Sequence, residues 1–80
     1  MTSEESAVLH RLAQRTRDAT ICPSEVARDL VGEDGDWRAR MDDVHRAVDS
    51  LLEEGRITLS WKGLPMERRN GPYRIAKAKE

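Results

Sequence analysis

The stretch WRARMDDVHRAVDSLLEEGRITLSWK, residues 37–62, changes its hydrophobic period partway along. From Trp37 through Met41, Val44, Val48, Leu51 and Leu52, apolar residues recur every three or four positions, the spacing of one helical face. After Gly55 the spacing becomes two. Ile57, Leu59 and Trp61 alternate with Arg56, Thr58, Ser60 and Lys62, the pattern of a half-buried strand. Glycine just past a periodic run stops a helix. The stretch therefore predicts a helix over about Trp37 to Glu54, N-capped by Asp36, and then a strand with Ile57, Leu59 and Trp61 inward.

Upstream, a first helix is expected over about Ser3 to Arg17. Thr2 and Glu5 have capping-box spacing, Glu4 and Glu5 suit the positive end of the helix dipole, and Val8, Leu9, Leu12 and Ala13 share a stripe. Ala19-Thr20-Ile21-Cys22 reads as a brief strand. Pro23, at the position where its missing N–H costs nothing, opens a second helix with Val26, Ala27, Leu30 and Val31 buried and Gly32 as its stop. Residues 32–36 form a turn. Downstream, Lys62-Gly63-Leu64-Pro65 and Arg68-Arg69-Asn70-Gly71 read as one loop, followed by a returning strand over Pro72 to Ala76 with Tyr73 and Ile75 inward and Arg74 outward. Trp61 and Tyr73 are expected to fill the core. Ala76-Lys77-Ala78-Lys79-Glu80 reads as a frayed end.

The order of helix, short strand, helix, helix, strand, loop and strand is that of a winged helix-turn-helix. The fold class expected is α+β, mainly helical, with three helices and a small antiparallel sheet. A single domain is expected over 1–80, its ordered core at about 3–76. The loop takes the place of the wing, and the third helix takes the recognition position.

Ile21-Cys22-Pro23-Ser24-Glu25-Val26-Ala27-Arg28 resembles the signature of a small bacterial domain family of unknown function, thought to be winged-helix. Trp37-Arg38 with Met41, Glu54-Gly55-Arg56-Ile57, and Lys62-Gly63 with Gly71-Pro72-Tyr73-Arg74-Ile75 are similar to further parts of its pattern. Together these pieces span roughly residues 9 to 75. The resemblance implies a fold; it brings no activity, cofactor or functional residue with it.

Composition narrows the function classes. The chain has 80 residues, 14 Lys+Arg against 15 Asp+Glu, and one cysteine. Eighty residues bury too little surface to enclose a large catalytic cavity. One cysteine excludes an internal disulfide and a cysteine-based zinc finger. No apolar run approaches the length of a membrane span, and the start lacks the basic-then-apolar order of a signal peptide. The expectation is a cytoplasmic monomer with no membrane attachment.

The near-neutral total hides a partition. Residues 56–80 carry seven basic side chains against Glu67 and Glu80, a balance of +5, whereas residues 1–55 carry seven against thirteen acids, a balance of −6. Phosphate contacts need Lys or Arg, because neutralising phosphates releases counterions. Lys62, Arg68 and Arg69, then Arg56 and Arg74, are the candidate nucleic-acid contacts. A DNA-binding regulatory module is thus the leading expectation. The third helix argues the other way: its outward face reads Arg38, Asp42, Asp43, Arg46, Asp49 and Glu53. That face suggests the alternative, a protein-interaction module for a partner with a basic surface and with no DNA binding.

Little else points to chemistry. Cys22 lies at a helix start, where the dipole favours a thiolate, but no second cysteine or diagnostically spaced histidine accompanies it. His10 and His45 read as boundary residues, and no metal-ligand cluster is visible. Trp37 reads as a lid on the core or as an interface anchor. No catalytic constellation, cofactor motif or small-molecule site is found, so an enzyme is not expected.

Overall fold

The computed structural model of the chain describes residues 1–78. Thr2 opens α1 (Ser3–Ala13). Its hydroxyl accepts from the Glu5 N–H and the Glu5 carboxylate accepts from the Thr2 N–H, each at 3.1 Å, closing the predicted capping box. The helix ends at Ala13, short of the predicted Arg17. The next positions on its buried face after Leu12 are Arg15 and Thr16, both exposed, so further winding would bury no apolar surface.

The second helix, α2 (Pro23–Val31), begins at Pro23 and stops at Gly32 as predicted, with Val26 and Ala27 fully buried. Between α1 and α2 the predicted brief strand is a single bridge. Ile21 exchanges two backbone hydrogen bonds with Ile75, of 2.8 and 2.9 Å. The turn after α2 comes so close to the helix that a Cβ on Gly35 would sit 2.4 Å from the Val31 Cβ, so only glycine fits there.

The predicted third helix is split. A short 3-10 helix (Trp37–Arg40) precedes α3 (Met41–Glu53). Asp36 caps the 3-10 segment rather than the α-helix, its carboxylate accepting from the Ala39 N–H at 3.4 Å. A tightened first turn is common at helix starts. Here it carries Trp37, which packs against the core between α2 and α3.

Three strands follow: β1 (Ile57–Trp61), β2 (Leu64–Met66) and β3 (Arg74–Lys77), antiparallel in the order β2-β1-β3. The strand β2 lies inside the stretch predicted as loop. Lys62 and Gly63, at φ 51° and 81°, form a two-residue turn with positive φ at both positions, which matches the natural twist of a hairpin. Pro65 is tolerated because β2 is an edge strand with no ladder bond to lose. The returning strand begins at Arg74 rather than Pro72 and runs on to Lys77. Ala76 and Lys77 pair with Thr58 and Ile57, so they belong to the sheet and not to a frayed end. Lys79 and Glu80, the rest of that expected end, lie outside the described residues.

The helices pack on one another and α3 packs on β1. One core joins Val8 and Leu12 of α1, Val26 of α2, Val44, Val48 and Leu51 of α3, and Ile57, Leu59, Tyr73 and Ile75 of the sheet side. The fold is α+β and about half helical, as expected: three helices and a three-stranded antiparallel sheet, consistent with a winged-helix-like arrangement. One expected core residue is misplaced. Tyr73 is 4% exposed, but Trp61 is 39% exposed at the end of β1. Strand alternation assigned Trp61 the correct face, yet that face runs past the edge of the helical layer.

Candidate nucleic-acid interface

The five cations singled out by sequence do not form one cluster. Arg56 precedes β1 and Lys62 follows it, so a whole strand separates them, about 20 Å at the usual rise per residue. Both are exposed, as is Arg68, and none of the three forms an ion pair among the described residues.

The other two are engaged. Arg74 spends its guanidinium on Thr20: Nε donates to the Thr20 hydroxyl at 2.6 Å and Nη2 to the Thr20 carbonyl at 3.1 Å. It ties β3 to the segment between α1 and α2, so Arg74 is not free on the outward strand face as the sequence predicts. Arg69 donates to both carboxylate oxygens of Asp49 on α3, Nε at 2.6 Å and Nη2 at 2.8 Å. That bond holds the Asp49 carboxyl below its ordinary range and pushes Arg69 up. It also fastens the loop after β2 to the helix. Asp49, Glu53, Arg68 and Arg69 line the groove between them.

The same loop is anchored a second time. Tyr73 brings its hydroxyl 2.7 Å from His45 Nδ1, also on α3. Burial pushes the Tyr73 hydroxyl well up and, reinforced by the Arg69 charge, holds the His45 imidazole below its ordinary value against the pull of Asp42 and Asp49.

The acidic face of α3 is partly neutralised. Asp43 pairs with Arg40 and Arg46, and Asp49 with Arg69, leaving Asp42 and Glu53 exposed and without an ion pair among the described residues. Three cations of the helical half are similarly occupied. Arg11 and Arg15 converge on Glu25, and Arg40 also reaches Glu4. The guanidiniums of Arg28 and Arg38 each lie over the Trp37 ring, 4.6 and 4.5 Å from its centre. Cys22 has its Sγ 3.1 Å from the Ser24 hydroxyl.

Sequence reasoning missed one feature of the hairpin end. Trp61 and Leu64 face each other across β1 and β2, on either side of the Lys62-Gly63 turn, at 39% and 70% exposure. The available signal was an isolated leucine between a glycine and a proline in an otherwise polar loop.

Among the described residues, no helix is long and apolar enough to cross a membrane, and no group of three or more metal-ligating side chains gathers. No curated protein matches the sequence. The model of one family matches residues 2–78, nearly the whole chain, and the chain belongs to that family, described as a protein of unknown function (DUF3253).

Proposed function

We propose that this domain is a regulatory module that binds duplex DNA through the phosphate backbone, with the β1–β2 hairpin as its wing. The supporting observation is the distribution of unneutralised charge. Lys62, Arg68 and Arg56 are exposed and without ion pairs among the described residues, whereas Arg11, Arg15 and Arg40 of the helical half are held by carboxylates, and of its other arginines Arg28 and Arg38 lie over Trp37 while Arg17 is exposed without an ion pair. A free surface cation has condensed counterions to displace from DNA; a paired one must first break its salt bridge. Neutralisation of Asp43 and Asp49 also removes much of the repulsion that α3 would present to phosphates. It equally weakens the competing reading, an acidic α3 that captures a basic protein. The single unpaired thiol supports placing this activity in the cytoplasm.

Fluorescence anisotropy of a labelled generic duplex at about 50 and about 200 mM salt tests the proposal. Micromolar binding that weakens steeply with salt is expected, and Lys62→Glu with Arg68→Glu should abolish it. No binding at the lower salt concentration overturns it.

A further inference from the structure

The hairpin tip is apolar as well as basic. The core-facing side of the sheet carries Ile57, then the pair Leu59 and Met66, then the pair Trp61 and Leu64. Ile57 and Leu59 are buried and Met66 packs against the core, but the last pair overhangs it. Between its members stands Lys62 at φ 51°, a left-handed conformation that is strained for a side-chain-bearing residue and that asparagine or glycine fills more readily. A cation is therefore held, at a conformational cost, between two exposed hydrophobic side chains at the point of a two-stranded ribbon.

We infer that this tip is a DNA wedge: Leu64, backed by Trp61, inserts between base pairs from the minor groove while Lys62 pairs with a flanking phosphate. The inference rests on the DNA-binding reading and adds where and how the hairpin enters. Its charge fits this occupant, since no carboxylate lies within residues 55–66. Its shape fits too. The two backbones of a ribbon lie about 4.8 Å apart, whereas the minor groove is about 6 Å wide, so a ribbon with side chains enters only where the groove is opened. Leucine and proline are side-chain types that pry base steps apart and kink the duplex by about 20–90°. Leu64 is followed directly by Pro65. Pyrimidine–purine steps, the easiest to unstack, are the expected sites.

The test uses the full chain with Trp37→Phe, which leaves Trp61 as the sole tryptophan. Binding to a duplex labelled at both ends should quench Trp61 emission and shorten the end-to-end distance by energy transfer. Leu64→Ser should abolish the bend and weaken binding about tenfold while preserving the salt dependence. Trp61→Ala should weaken binding similarly, with folding checked by circular dichroism. Salt-sensitive binding to a duplex that stays straight, unaltered by Leu64→Ser and Trp61→Ala, overturns the wedge and leaves the phosphate-contact reading standing. Absence of binding at about 50 mM salt overturns both.

Discussion

Arg69 and Asp49 form a bidentate ion pair, two parallel hydrogen bonds across twenty positions of sequence. The pair staples the loop after β2 to the flank of α3. It also engages the guanidinium that sequence marked as a phosphate contact. Asp49→Asn should free that guanidinium. The expected result is tighter DNA binding with a salt dependence steeper by about one phosphate, at a stability cost of up to about 1 kcal/mol. Anisotropy titrations and urea unfolding read the two effects separately. Unchanged binding would mean that Arg69 serves the loop alone.

Lys62→Asn should move stability and binding in opposite directions. Asparagine tolerates the left-handed backbone of the turn and makes the favoured Asn-Gly pair with Gly63. A gain of roughly 0.5–1 kcal/mol in unfolding free energy is expected, together with weaker DNA binding through loss of the tip charge. A variant that gained stability and kept full affinity would remove Lys62 from the interface.

His45 should titrate below 6.5, as burial first and then the Arg69 charge disfavour its cationic form despite Asp42 and Asp49. The sign follows from linkage. The folded state holds the histidine proton less readily than the unfolded chain, so its contribution is complete above about pH 6.5 and is lost as pH falls through the folded value. NMR titration of the ring protons checks the shift. Tyr73→Phe, which removes the hydroxyl bound to Nδ1, should cost about 0.5–1.5 kcal/mol.

Glu25 is the hub of the helical half. Burial works against its charge, but the Cys22 N–H at 2.6 Å, Arg11 and Arg15 together hold its carboxyl below the ordinary 4.5. Asp49 is likewise held low by Arg69, and Glu5 by the Thr2 N–H and hydroxyl. Stability should therefore be complete above the ordinary carboxylate range and fall as acid passes through each folded value. Chemical denaturation across that range should show a decline that is shallower in Glu25→Gln. At neutral pH that variant should cost about 1–2 kcal/mol through loss of the α2 cap and its two arginine partners.

Leu51 is fully buried where α3 meets the core. Leu51→Ala should cost about 2–5 kcal/mol, much of the total stability available to a domain of this size. A loss of cooperative thermal unfolding is expected. The exposed Leu64→Ser should leave the melting curve nearly unchanged.

The local signals were readable and the distant ones were not. Thr2 with Glu5, Pro23 with Gly32, and Gly55 each act within a turn or two of chain, and each behaves as its residue type dictates. The core face of β1 followed from alternation through Ile57 and Leu59. Alternation says nothing of how far the helices reach over a sheet, and for that reason Trp61 was placed inside. The strand β2 was hidden because Lys-Gly is an uncommon pair for a tight hairpin and Pro65 argues against a strand until the strand is known to be an edge. Of the candidate contacts, the exposure of Lys62, Arg68 and Arg56 was legible. The capture of Arg69 by Asp49 and of Arg74 by Thr20 was not, because each depends on a partner fixed only by the finished fold.

The bridge from Ile21 to Ile75 bears on how the domain is made. The strand β3 lies between β1 and Ile21, and α2, which follows Ile21 directly, is anchored through that bridge. A growing chain can wind its helices early, but until residue 75 has been synthesised the backbone groups of Ile21 and the β3-facing edge of β1 have no partners. The sheet therefore cannot close before that residue is available, and a ribosome stalled ahead of it would carry a chain whose apolar strand is left open to chaperones and to neighbouring chains.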